Sequence, residues 1–401
     1  MHKEIFKNTS YQLVSRVITT GIGFLITILI ARHFGAYNFG EFSKITSFVA
    51  LFYLFVDFGL NATFLKNSKS YSTLFYLRLL LSLAIFLGVN FIAHFLPYNP
   101  ILDIGFSPGV RIGIFVFSFT LFAQGIIYST SGIFQKNLRY DLYMASQIIG
   151  AVFNLFLIAI LVFLAKPLLF IVLSYVLSTF LTSVISIFFV SENLSKFEVP
   201  YSKEIFKQSI PIGLMLIFNL VYFRIDILLL SLFKSNVDVG VYSIAYKFFD
   251  FFIAIPLFLS NAVYPKLLEA LKDKKGFSII VKKYFLVYFI FSILIIIPVW
   301  FLSPLFGLIS SDFLPASLPF KILILSLPIF FLTSFIQWIL ISLNQQKFLM
   351  YSYLICALLN IVLNIIFIPQ FSYIGSAVIT GFSEVIVFII LIVKLKKINI
   401  L

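Results

Sequence analysis

Eight charged side chains fall well inside long apolar stretches of this 401-residue chain, away from their ends: Arg16, Asp57, Arg78, Arg224, Asp226, Lys247, Asp250 and Glu384. A charge at bilayer depth costs at least ~2.5–3.5 kcal/mol on insertion scales, so each such residue is a functional candidate by default. Charges three or four apart on one helix share a face, whereas charges two apart do not. Arg224 and Asp226 therefore cannot satisfy each other. Depth matching across a helical hairpin instead pairs Arg224 with Asp250 and Asp226 with Lys247. At about 1.5 Å per residue, Arg16, Asp57 and Arg78 lie roughly 8–10 Å in from one side, and they form a second expected cluster. Glu384 sits near the middle of the last apolar stretch. Two chemistries fit these residues. Some are buried pairs that neutralise each other. Alternatively, they line a water-filled cavity. There Arg16, Arg78, Arg224 and Lys247 would meet an anionic head group, and Asp57, Asp226, Asp250 and Glu384 would act as cavity acids or couple transport to H⁺ or Na⁺. Arginine suits phosphate because its planar fork donates two parallel hydrogen bonds.

Composition sets the environment. Hydrophobic residues make up 61% of the chain and charged residues 11%. Soluble domains carry roughly 45–50% and about 25%. Too little charge is present to cover a water-facing surface, which leaves an integral membrane protein. The net charge of +14 is then a matter of topology and not a nucleic-acid signature. Cys356 is the only cysteine, and His2, His33 and His94 are scattered, so no disulfide or metal site is expected. No Walker, nucleophile-elbow or Rossmann pattern occurs, so neither cofactor nor enzymatic activity is expected.

Twelve apolar stretches are long enough to span at about 20 residues each. They run approximately over 10–31, 40–64, 74–96, 110–131, 140–165, 168–191, 209–233, 239–264, 284–306, 320–343, 348–369 and 373–393. Lys3, Glu4 and Lys7 precede the first without a small-residue cleavage site, so that span is expected to be retained. Sorting the 29 Lys and Arg by connection puts 19 on the side of the N-terminus and 6 opposite, with 4 inside spans. The positive-inside rule then places both termini in the cytoplasm.

The chain also repeats itself. Lys3-Glu4-Ile5-Phe6-Lys7 recurs as Lys203-Glu204-Ile205-Phe206-Lys207, and the ungapped offset of 200 gives 14 identities over the 64 positions from 3 to 66. Gly40 matches Gly240, and Asn61-Ala62 matches Asn261-Ala262. Six spans per half make a parallel repeat, an architecture known among transporters. The expected organisation is a six-helix bundle over 1–191, a cytoplasmic interfacial linker over 192–208, and a second six-helix bundle over 209–401. Pro256, Pro298 and Pro328 lie well inside spans of the second half, where proline frees a carbonyl and bends a helix. They are the candidate hinges.

Four short motifs carry a resemblance. They are Gly35-Ala36-Tyr37-Asn38-Phe39-Gly40-Glu41-Phe42; Asp57-Phe58-Gly59-Leu60 with Ala62-Thr63; Arg224-Ile225-Asp226 with Gly240-Val241-Tyr242 and Ala245-Tyr246-Lys247; and Pro369 with Tyr373-Ile374-Gly375-Ser376-Ala377 and Glu384. In this order on twelve spans, they resemble the Wzx-type polysaccharide flippases of the multidrug/oligosaccharidyl-lipid/polysaccharide exporter superfamily. The resemblance implies a MATE-like pair of six-helix bundles in the bacterial inner membrane. It implies translocation of an undecaprenyl-diphosphate-linked oligosaccharide repeat unit to the periplasmic leaflet for O-antigen or capsule assembly. Its partners would be the lipid-linked oligosaccharide, membrane lipids and the glycan polymerase of the same pathway. Arg224, Asp226, Lys247 and Glu384 lie in the motifs; Arg16 and Arg78 rest on depth alone. A multidrug or cation antiporter of the same superfamily is the alternative, although cationic drugs would want excess acid and span one has none. A glycan polymerase or ligase fits less well, because the outer loops are short and catalytically poor.

Overall fold

The computed structural model describes residues 2–67, 70–190, 194, 196–271 and 274–398. It divides into two compact units, Met1–Ile217 and Phe218–Leu401. In the first unit α1 (His2–Asp57), α2 (Leu60–Asn67) and α3 (Tyr71–Phe95) are followed by a two-stranded antiparallel hairpin. Its strands are β1 (Tyr98–Asn99) and β2 (Ile104–Gly105). Then come α4 (Pro108–Ser118), α5 (Thr120–Lys136), α6 (Tyr140–Phe163) and α7 (Leu168–Phe188). Helix α8 (Val199–Phe233) contains the boundary between the units. The second unit continues with α9 (Asn236–Ala270), α10 (Lys274–Leu302), the single turn α11 (Phe306–Ile309), α12 (Ser317–Leu325), α13 (Leu327–Ser342) and α14 (Gln346–Lys397). The fold is all-α and multi-pass, as expected.

Among the described residues, nine helices are long and apolar enough to cross a bilayer. The pair α12–α13, bent by 44°, makes ten. That is fewer than the twelve expected stretches, and the two longest helices account for the difference. Val14–Lys66 covers 53 residues and Gln346–Lys397 covers 52. At about 1.5 Å per residue each would be near 80 Å long, against a ~30 Å hydrocarbon core. Both are interrupted by non-helical residues, at Gly35 (φ 67°, ψ 180°) within α1 and at Ser372 (φ 50°, ψ −139°) within α14. These breaks fall between expected stretches.

The breaks explain three of the four motifs. Gly35, which opens the first motif, supplies a positive φ at low steric cost. At Phe58 and Gly59 (φ 44° and 69°) the chain turns from α1 into α2. Phe58 tolerates this while stacked on Phe206, with ring centroids 5.2 Å apart. A Cβ on Gly59 would lie 2.7 Å from Cγ2 of Ile212. The third break, at Ser372, is tied down from the α8–α9 connection. Oγ of Ser372 donates to Asp238 at 2.8 Å, and Nζ of Lys234 donates to the carbonyl of Pro369 at 2.9 Å.

Proline does not mark every bend. Pro328 stands at the start of α13, directly after the α12–α13 bend. The Gly35 and Ser372 breaks have no proline at the non-helical residue, and α4 runs into α5 through Phe119, whose backbone stays helical. There Oγ1 of Thr120 donates to Phe117 O and meets the phenol of Tyr53. In the expected linker, Glu192, Asn193 and Ser195 lie outside the described residues. From Val199 the segment is helical, and Tyr201 and Ile205 pack into a cluster with Leu60, Phe64, Leu74 and Ile133.

Gly59→Ala is expected to lower the melting temperature in detergent. A left-handed alanine costs roughly 1–2 kcal/mol, and the clash with Ile212 adds to it. Adding Ile212→Ala should recover only the steric part. Full recovery in the double variant would show that the backbone conformation carries no cost.

Candidate functional site

In the second unit, the two deepest acids sit in hydroxyl cages. Asp226 is 3% exposed. Its Oδ1 accepts from the Ile227 amide at 2.8 Å. Its Oδ2 accepts from the phenol of Tyr242 and, at 3.4 Å, from Thr380 Oγ1. Glu384 is 2% exposed. Its Oε2 accepts from the phenol of Tyr222 at 2.7 Å and its Oε1 from Thr333 Oγ1. Thr380 and Glu384 are four apart on α14 and share a face, so one helix brings the cages together. Carboxylates need donors when water is absent, and tyrosine and threonine supply them without adding charge.

Arg224 and Asp250 pair as expected, with Nη2 2.8 Å from Oδ2. The guanidinium also lies over the Tyr246 ring, 5.1 Å from its centroid. Tyr246 is fixed in turn by donating to Phe223 O at 2.9 Å. The side chains of the pair are 33% and 28% exposed. The expected pairing of Asp226 with Lys247 does not form. Depth matching put both at one level, but Tyr242 and Thr380 fill the space around the carboxylate. Lys247 is exposed and makes no ion pair among the described residues.

In the first unit Arg78 and Asp57 pair at 2.8 Å, with Arg78 wholly buried and Asp57 18% exposed. Arg78 also faces the ring of Tyr128 at 5.9 Å. Arg16 does not join them in an ion pair among the described residues, and it is exposed. Asp57 and Tyr128 line a cavity of about 490 Å³. Other cations hold structure. Arg111 donates to Leu96 O at 2.6 Å and Phe106 O at 3.1 Å. Lys44, sorted by sequence with the outer connections, is fully buried in α1 and donates to Gly105 O at 2.7 Å. Arg139 pairs with Asp141 at the surface.

The sequence reading missed the hydroxyl donors Tyr222, Tyr242, Thr333 and Thr380. Two signals pointed to them. Tyr242 lies in the third motif, and Thr380 stands one helical turn before Glu384.

The model for the polysaccharide biosynthesis protein family matches residues 5–271. The chain belongs to that family. A second model, MatE, matches residues 211–366. Solved structures share the fold at low identity. The lipid II flippase MurJ, in an inward closed conformation, superposes with a TM-score of 0.81 at 17% identity, over 96% of this chain and 87% of MurJ. A multidrug resistance MATE family transporter of the MOP superfamily gives 0.70 at 12% identity, over 98% and 95%. The eukaryotic MATE transporter AtDTX14 gives 0.69 at 17% identity, over 99% and 96%. No curated protein is similar enough in sequence to count as a relative. The all-α, MATE-like architecture implied by the four motifs is therefore present over nearly the whole chain.

The two ion pairs should respond differently to charge removal. Half-exposed pairs fall between the ~0.2–1 kcal/mol of surface pairs and the ~3–5 kcal/mol lost when a buried pair is broken. Asp57→Asn strands the buried Arg78 and is expected to destabilise more than Asp250→Asn. Adding Arg224→Gln to Asp250→Asn should restore part of the melting temperature. No restoration would argue against the Arg224–Asp250 pair.

Proposed function

We propose that the protein is a flippase for a lipid-linked glycan. It would move an undecaprenyl-diphosphate-linked oligosaccharide repeat unit from the cytoplasmic to the periplasmic leaflet by alternating access. The setting is the bacterial inner membrane with both termini cytoplasmic, a reading that rests on the 19-to-6 distribution of basic residues. Its place in the pathway is surface polysaccharide assembly, upstream of a glycan polymerase. Family membership and the likeness to a lipid II flippase support this reading.

One observation carries the choice of an anionic substrate. Asp226 and Glu384 have every carboxylate oxygen occupied by donors. Asp57 and Asp250 are each paired with an arginine. The exposed intramembrane charges without an ion pair among the described residues are cations, Arg16 and Lys247. An organic cation finds no free acid there, whereas a diphosphate finds free cations. In this reading Arg224 exchanges part of its bond to Asp250 for phosphate oxygens. The caged Asp226 and Glu384 take up the coupling ion, H⁺ or Na⁺, and lose hydroxyl contacts as they do so.

The multidrug reading is separated by transport in proteoliposomes. Polyprenyl-diphosphate sugar is expected to cross with the unaltered protein. Lys247→Ala should slow it by about tenfold, the effect of one charge-assisted hydrogen bond worth ~1.5–3 kcal/mol. Movement of a lipophilic cation, with no movement of the diphosphate lipid, would overturn the proposal. A second measurement concerns coupling. Asp226→Asn is expected to abolish the dependence of transport on an imposed ion gradient while diphosphate-lipid binding persists. Unchanged gradient dependence would remove Asp226 from the coupling role.

A further inference from the structure

The cavity in the first unit has chemistry that diphosphate recognition does not use. Its volume of about 490 Å³ lies within the ~300–1,000 Å³ typical of small-molecule sites. Polar lining comes from Asp57, Asn61, Ser131 and Gln135, with the rings of Tyr128 and Tyr143 beside them. Ile212 and Leu216 of α8 form an apolar wall. The cavity sits where α2 and α5 end and α6 begins, next to Lys66, Lys136 and Arg139. Charge sorting assigns that side to the cytoplasm.

Electrostatics narrow the ligand. Asp57 is the only acid among the lining residues, and its charge is answered from behind by the wholly buried Arg78, 2.8 Å away. The formal charges cancel, so the pocket has no net field to recruit either a cation or a diphosphate. Hydrogen-bonding capacity remains. Asp57 Oδ1 takes Arg78, while Oδ2 has no hydrogen-bond partner among the described residues. Asn61 is already oriented by donating to Tyr128 O at 3.1 Å and Ser131 Oγ at 2.9 Å. Gln135 has a carbonyl and an amide for adjacent hydroxyls. Arg78 keeps Nε and Nη1 without partners although it is fully buried, so the polar network around Asp57 is incomplete as it stands. A carboxylate and amides flanked by two phenol rings suit a ring that is hydroxylated along its edge and apolar on its faces.

We propose that this cavity is a binding subsite for an uncharged sugar residue, loaded from the side of α2 and α5. The inference rests on the glycan-flippase reading for its biological role, and its chemistry stands on the cavity alone. The sugar would occupy the neutral pocket of the first unit. Arg16, exposed and without an ion pair among the described residues, lies within electrostatic range of the lining residue Tyr143. Gln135 and Asn61 would then help determine which sugar is accepted.

Saturation-transfer NMR on the full chain in nanodiscs tests this directly. The probes are glucose, galactose and N-acetylglucosamine at millimolar concentration, with inorganic pyrophosphate and tetraphenylphosphonium as charged competitors. At least one sugar is expected to give a signal that neither competitor removes. Gln135→Leu should weaken that binding by about tenfold, the effect of losing one or two neutral hydrogen bonds. Leu216→Trp, which fills the cavity from its apolar wall, should abolish it. Both variants are to be compared at unchanged melting temperature. No sugar signal, equal signals from all three proteins, or displacement by tetraphenylphosphonium would overturn the subsite. None of these outcomes bears on diphosphate transport through Lys247, which the proteoliposome assay reads separately.

Discussion

A charge or a bare carbonyl placed away from water must be answered by the protein itself, and this constraint shapes most of the polar architecture. The chain answers it in three ways. Arginines are set against aspartates, as in Arg78–Asp57 and Arg224–Asp250. Acids are surrounded by tyrosine and threonine hydroxyls, as at Asp226 and Glu384. Cations are turned onto carbonyls freed where helices end or break, as with Lys234 at Pro369 and Arg111 at Leu96, or onto a hairpin carbonyl, as with Lys44 at Gly105. Serine and threonine do the same on a smaller scale by donating to the carbonyl one turn earlier, for example Ser129 to Gly125 at 2.9 Å.

These solutions differ in what they leave available. A hydroxyl cage supplies a buried carboxylate with donors without adding a compensating positive charge. An arginine–aspartate pair cancels charge, but a guanidinium has five donors and the carboxylate takes only some of them. Arg224 keeps a third of its side chain exposed and stacks on Tyr246. At the buried Arg78 the remaining donors leave an unfilled capacity behind a neutral, hydrogen-bond-rich cavity. One residue type thus forms two different kinds of pair according to its burial.

The breaks in the long helices belong to the same economy. Positive φ at Gly35, Phe58, Gly59 and Ser372 interrupts helices that would otherwise be too long for a bilayer. Each interruption frees backbone groups, and at Ser372 Lys234 meets the carbonyl of Pro369 while Asp238 holds the Ser372 hydroxyl. That is why three of the four short motifs coincide with these positions. They record the places where helix geometry is given up and side chains must compensate.

The sequence by itself determined the environment, the all-α class, the approximate helix positions and where eight charges fall along those helices. Hydrophobic runs and charge cost are properties of local composition, so they can be read along one dimension. It also determined the Arg224–Asp250 pair, because two charges at equal depth on neighbouring helices have few other partners. Only the tertiary structure decided the partner of Asp226. Lys247 satisfies depth matching equally well, but helix rotation carries it outward and brings in Tyr242 and Thr380, the latter from α14, 154 positions away. The same holds for Lys44, whose partner Gly105 lies 61 positions on in a hairpin, and for the cavity assembled from α2, α5, α6 and α8. Hydroxyls in apolar helices are common and carry no charge penalty, and Thr380 and Thr333 also bond their own helices, so beyond a motif position and a one-turn spacing the linear pattern does little to single out those that cage an acid.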